Sequence, residues 1–257
     1  MVQTSVKEKQ NLIVRINACG VATRDLNILL REAVATGAQK IELSNVCGQR
    51  YIGTNLNREV DIEVFGTPGN DLGAFMDGPR VIVQANAQDG CGNTMNGGEI
   101  IVHGHTGDIT GLSARGGKIF IRDGVGYRAG THMKEYGDKK PVIVIGNTAQ
   151  DFLGEYMAGG IMILIGLNLK GGEKHRANYI GTGMHGGVIY LRGDINDYQL
   201  GKEVGVAEIS EEDYLKLKKN VGEFASHFGY DAKEILKHRF IRLFPLYLRP
   251  YGTLYAY

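Results

Sequence analysis

The stretch DFLGEYMAGGIMILIG, residues 151–166, decides the fold. Its Gly-Gly pair before an apolar run fits two readings. Glycine lets backbone N–H groups approach an anion, so the pair could cradle a phosphate. It could equally be a bare turn leading into a strand. Other parts of the chain settle the choice, because the pattern recurs. From Gly154 and Met157, the spacing Gly-x-x-Met/Leu is found again at Gly53/Leu56, Gly73/Met76, Gly92/Met95, Gly130/Met133 and Gly181/Met184, and at Gly111 the fourth position is Ala114. Successive glycines lie 20, 19, 19, 19, 24 and 27 residues apart.

Neighbouring columns agree. Three residues before the glycine stand Asn70, Asp89, Asp108, Asp151 and Asn178, with Arg50 and Tyr127 as exceptions. Asn and Asp tolerate left-handed backbone and cap their own turns. Gly-Gly pairs follow at 97–98, 116–117, 159–160 and 186–187, and a β-branched run follows each. In these runs Ile62, Val81, Ile100 and Ile119 share one register, and Val64, Val83, Val102 and Ile121 the next of the same face. A period near 19 residues with one strong strand per repeat means stacked coils. Residues 46–193 are therefore predicted to form about seven coils of a single-stranded parallel β-helix, about 30 Å tall at ~4.8 Å per coil. The repeat glycines make the corners, and Gly159-Gly160, one of four equivalent pairs, is read as a corner too, because one chain has no use for a phosphate loop built four times along a rod. The Met column is interior filler.

Two insertions widen the period. They fall at residues 135–141 (EYGDKKP) and 167–178, are polar and charged, and are expected to project outward. The flanks are expected to cover the exposed coil edges. Residues 1–45 read as an α/β cap: a strand in NLIVRIN, a helix striped by Leu26, Leu29, Leu30 and Ala33 that stops at Gly37, then the strand KIELSNV. Residues 194–257 read as a helical extension of the same compact unit. Ser210 and Asp213 open a helix striped by Tyr214, Leu217, Val221, Phe224 and Phe228, which ends at Gly229. A second helix is predicted from Ala232 to Phe244, before Pro245, and a Tyr-rich tail follows.

Composition narrows function. The formal net charge of +1 gives no global attraction for nucleic acid or anionic membrane. The longest apolar run, Ile161–Leu167, is too short to span a bilayer, and the N-terminus carries no apolar signal core. Cys19, Cys47 and Cys91 match neither a disulfide framework nor a close-spaced zinc set, so a reduced, cytoplasmic setting is expected. His103 and His105, two apart at a strand exit, could join His132 of a neighbouring coil and a carboxylate such as Asp123 in a zinc site. Arg115, Arg122, Arg128 and Lys134 fall on adjacent coils as a candidate basic strip, or as an ordinary solvated face.

The repeat units GNDLGAFM, AQDGCGNTMNGGEIIVHG, TGDITGLSARGGKIFIR and AQDFLGEYMAGGIMILIG resemble the GXGXG repeats in the C-terminal domain of the glutamate synthase large (alpha) subunit. NVCGQRYIG and GTGMHGGVIYLRG extend the likeness over roughly residues 40–195. The resemblance is to stand-alone versions of that domain. It implies a right-handed parallel β-helix that packs against glutamine amidotransferase and FMN-bearing synthase chains, as a structural subunit in glutamate biosynthesis, ammonia assimilation and nitrogen metabolism. In that family the catalytic cysteine, FMN and iron–sulfur cluster belong to other domains, so this chain is expected to hold no catalytic residue, cofactor or metal. Met1 is accordingly followed by Val2 and not by a cysteine. The β-helix subunit of formylmethanofuran dehydrogenase carries similar repeats and is the alternative within the fold. A metalloenzyme with zinc at His103, His105 and His132 is the alternative from a different class. Self-association into a homo-oligomer is compatible with either.

Overall fold

The structure is a computed structural model, and it describes residues 12–247. The Tyr-rich tail lies outside these residues. Strands β1 (Ile13–Asn17), β2 (Lys40–Cys47), β3 (Asp61–Thr67), β4 (Arg80–Val83), β5 (Glu99–Val102), β6 (Lys118–Ile121), β7 (Val142–Ile145), β8 (Ala158–Leu164) and β9 (Gly186–Arg192) pair in parallel, each with the next. Such a succession of parallel strands, joined by short irregular coils, is a parallel β-solenoid. Helix α1 (Thr23–Ala35) joins β1 to β2.

Both predicted registers hold. Ile62, Val81, Ile100 and Ile119 face one another across successive coils, as do Val64, Val83, Val102 and Ile121. All eight are buried. Met76, Met95, Met133, Met157 and Met184 fill the next interior column. A further side is marked by the single-residue bridges Ala87–Thr106–Val125–Ala149, again all buried. One polar pair inside the stack is self-satisfied: the Thr110 hydroxyl donates to Thr106 Oγ1 at 2.8 Å.

The corners explain the glycines. In each coil three residues at alternate positions have positive φ, such as Asp71, Gly73 and Phe75 (61°, 65° and 58°) or Phe152, Gly154 and Tyr156 (65°, 68° and 52°). Only the central position is glycine in every coil. It points inward, where a Cβ on Gly92 would sit 2.3 Å from Ile119 Cδ1 and one on Gly130 2.4 Å from Met162 Sδ. The central N–H bonds to the coil before it, as from Gly92 to Leu72 (2.8 Å) and from Gly111 to Cys91 (2.7 Å). The Asn/Asp column does not cap its own turns. Its carboxylates accept from the equivalent backbone N–H of the next coil, Asp89 from Asp108 and Asp108 from Tyr127 (2.9 Å each), and Asp151 from Asn178 (2.8 Å). They are rungs between coils.

The ends differ from expectation in three respects. At the start, α1 buries Leu26, Leu30, Ala33 and Val34, while Leu29 faces solvent. At the other end, α2 (Glu211–Phe228) begins with the expected Ser210/Asp213 capping box and ends at left-handed Gly229, but Tyr214 lies off its buried face. The predicted second helix is only α3 (Ala232–Leu236). Residues Phe240–Pro245 instead form β11, which lies antiparallel between β9 and a strand that the sequence pattern does not announce, β10 (Val204–Glu208). The two strands take up the edge that β9 would otherwise expose.

Helix α2 lies on the outer face of the sheet. There the outward strand residues change from Glu42 and Glu63 to Ile82, Ile101, Phe120, Val144, Ile163 and Tyr190. Leu217, Val221 and Phe224 pack on this apolar column. The Tyr190 hydroxyl of this column donates to Asp213 Oδ1 at 2.6 Å, and Lys118 of β6 pairs with Glu223 of the helix. Burial opposes the Asp213 charge, but the bonds from Tyr190 and Ser210 outweigh it and hold the carboxyl below its usual range.

Candidate functional site

The three histidines do not converge. His103, just past β5, lies under α2 with its ring edge-on to Phe228 at 5.1 Å. Burial, then the Arg122 and His227 charges, hold its pKa below the usual value. His105 is exposed beyond the next corner, where its backbone N–H donates to Asn86. His132 is on the corner ridge and stacks on Tyr156 at 5.3 Å. No group of three or more His, Cys, Asp or Glu side chains placed to hold a metal ion occurs among the described residues. The alternative of a zinc site at His103, His105 and His132 is therefore not supported by the geometry. The strand ends at Val102, so the two-residue spacing of His103 and His105 does not continue a pleat. Cys91 is buried in the stack, which pushes its thiol up to about 12 and makes it a poor nucleophile.

The basic strip divides. Arg122 is paired with Asp123 (3.0 Å), and Arg128 with Glu155 (3.0 Å). Arg115 and Lys134 meet at a depression on another side of the stack.

The corner ridge is a surface that the sequence pattern left unnoticed. Of the positive-φ positions two before and two after the central glycine, several point outward and carry large side chains. Tyr51, Phe75, Tyr156 and Tyr179 are about half exposed (45, 50, 47 and 53%). Because coils stack in register, these side chains form columns. Arg128 lies over Phe152 (5.1 Å), and Phe152 stacks on Tyr179 (4.9 Å). Beside them, His132 stacks on Tyr156, whose ring rests where a Cβ of Gly183 would be (2.4 Å). Bulky residues at positive φ carry strain of about 1 kcal/mol or more each. Twelve non-glycine residues on this ridge hold that conformation. The signal is present in the sequence as aromatic residues at two positions from the repeat glycine.

The second insertion contributes a buried group as well as a loop. Residues 168 and 170–174 are exposed, but His175 and Ala177 fold back into the stack. His175 Nε2 meets the Arg192 carbonyl at 3.1 Å, and its Nδ1 has no partner. Burial depresses its pKa from 6.5 to about 4. The folded chain then refuses, below pH 6.5, a proton that the unfolded chain accepts. Stability from this group is complete above about pH 6.5 and is lost as pH falls toward about 4. Between pH 7 and 4.5 the native chain should lose about 2 kcal/mol more than a His175→Gln variant. Urea unfolding at the two pH values measures this, and parallel losses would show that His175 protonates freely in the folded state.

No helix among the described residues is long and apolar enough to cross a membrane. The family model described as the GXGXG motif matches residues 25–247. An uncharacterized protein of Methanocaldococcus jannaschii is 50% identical over 251 residues, spanning 95% of this chain and 96% of that protein.

Proposed function

The chain belongs to the GXGXG motif family, and from that membership we propose that it is a non-catalytic scaffold subunit of a glutamate synthase-type complex. In this reading it docks separate amidotransferase and FMN-bearing synthase chains through its corner ridge, while the flavin and iron–sulfur cluster reside on those chains. The observation that carries the reading is the pair of aromatic columns, Arg128–Phe152–Tyr179 and His132–Tyr156. They are rigid because coil stacking fixes each ring, so docking on them orders little that is not already ordered. Aromatic and Arg side chains held this way are the usual energetic centres of protein interfaces. The repeat glycines face into the stack as its corners, which supports a structural reading of the family motif.

The test is reconstitution. The isolated chain is expected to be colourless and to lack glutaminase and glutamate synthase turnover. Mixed with the two partner chains, it should co-elute and support glutamine-dependent glutamate formation. Phe152→Ala with Tyr156→Ala removes one half-buried and one exposed ring of the ridge and should weaken co-elution by tenfold or more. Full activity without this chain, or turnover by this chain alone, would refute the scaffold role.

A further inference from the structure

The five residues Tyr136–Lys140 are the whole of the first insertion. Glu135 and Pro141 belong to the stack: the Gly160 N–H donates to Glu135 Oε1 (3.0 Å), the Ile161 N–H donates to the Pro141 carbonyl (2.9 Å), and Pro141 is buried. The insert turns as a tight hairpin. Tyr136 and Lys139 exchange both backbone hydrogen bonds (3.1 and 3.0 Å) around Gly137 at φ 57°. It folds back along the coils and does not stand away from them. Lys139 reaches Asp77, 62 positions earlier, at 3.0 Å, and its stem passes over Gly116, where a Cβ would come within 3.2 Å of it.

The hairpin thereby walls a depression of about 340 Å³ lined by Asp77, Asn96, Arg115, Lys134, Tyr136 and Lys139. Asp77, Asn96, Arg115 and Lys134 each follow the interior Met or Ala of their coil, so coil stacking sets them in one row. The charges do not cancel. Lys139 is paired with Asp77, and Lys140 with Glu135 (3.5 Å). Arg115 and Lys134 have no carboxylate partner among the described residues, so the lining of the depression carries an excess of two positive charges.

We propose that this depression is a binding site for a small organic dianion, of the dicarboxylate or phosphate-monoester class. The volume, about 340 Å³, lies at the low end for small-molecule pockets and suits a small ligand. Arg115 offers a planar fork suited to either oxyanion, and Lys134 a compact second charge. Asn96 can donate a neutral hydrogen bond. The Tyr136 ring, half exposed, gives one face for the ligand's carbon body. The hairpin is what closes this row into a depression, and it supplies two of the six lining residues.

The experiment titrates the full chain with glutarate and, separately, with inorganic phosphate, followed by calorimetry at low ionic strength. One or both should saturate a single site. Glutarate alone assigns the dicarboxylate class, phosphate alone the phosphate class, and both the shared oxyanion chemistry. Arg115→Ala and Lys134→Ala should each weaken binding tenfold or more. Arg122→Ala, whose charge is already paired with Asp123, should leave it unchanged. Deleting residues 136–140 restores the 19-residue spacing and should keep the fold while losing tenfold or more in affinity. No saturable binding of either probe, or equal affinity in Arg115→Ala and Arg122→Ala, overturns the site.

Discussion

Ile100→Asp is expected to leave the chain unfolded at room temperature. Ile100 is fully buried, with Val81 in register on one side and Ile119 on the other. Truncating such a side chain costs about 2–5 kcal/mol through lost burial and the cavity left behind. The carboxylate adds several kcal/mol more, because the interior around it offers no cation and few donors. Together these approach the whole stability of an ordinary domain, about 5–15 kcal/mol. The interior of the stack is one continuous core, since the inward side chains of each coil are buried by those of its neighbours. Ile82→Asp is the control. Ile82 is in the adjacent coil but points outward and is partly exposed, so its carboxylate keeps access to water and should cost no more than about 2 kcal/mol. Circular dichroism and urea unfolding compare the two. Equal stabilities would mean that the inside and outside of the coils are interchanged.

The coils are legible in the sequence because each column is written about seven times. A single Ile after a Gly-Gly pair means little, but Ile62, Val81, Ile100 and Ile119 at equal spacing fix which face is interior. The termination of the stack is written once, and its local pattern misleads. Ile235, Leu236, Phe240, Leu243 and Phe244 are spaced like a helical stripe, and nothing local contradicts it. The free edge of β9 decides the outcome, and that edge exists only once the stack is built. The seat of α2 is readable in principle, since Ile101, Phe120, Val144 and Ile163 make the strands apolar on both faces, a sign of double cover. Of the four cations in the candidate strip, Arg128 is neutralised by Glu155, 27 residues away in sequence, a pairing that requires the coil geometry. The site at Arg115 and Lys134 depends in the same way on the hairpin, whose direction the sequence does not encode in any repeat.

The corner glycines differ in how much they exclude a side chain, and this gives a graded expectation. Gly111→Ala meets two obstacles. At φ 69° an L-residue is strained by about 1 kcal/mol. Its Cβ would also sit 2.3 Å from Ile143 Cδ1, with Ile119 Cδ1 at 3.7 Å behind. Ile143 is fully buried and clamped between Ile119 and Met162 of the adjoining coils, so it has nowhere to move. Overpacking of this kind adds about 1–3 kcal/mol, for a total near 3 kcal/mol. Gly53→Ala has similar backbone strain, at φ 77°, but its nearest neighbour is Val81 Cγ2 at 3.6 Å, an ordinary contact. It should cost only about 1 kcal/mol. The cause at Gly111 is isolated by a second change. Ile143→Val removes the clashing Cδ1 and alone should cost about 1 kcal/mol. If the clash is real, the double variant Gly111→Ala/Ile143→Val will be more stable than the sum of the single losses allows, by about 1 kcal/mol or more. Additive losses in urea unfolding would mean that the corner excludes side chains through backbone conformation alone, and Gly53→Ala should then match Gly111→Ala.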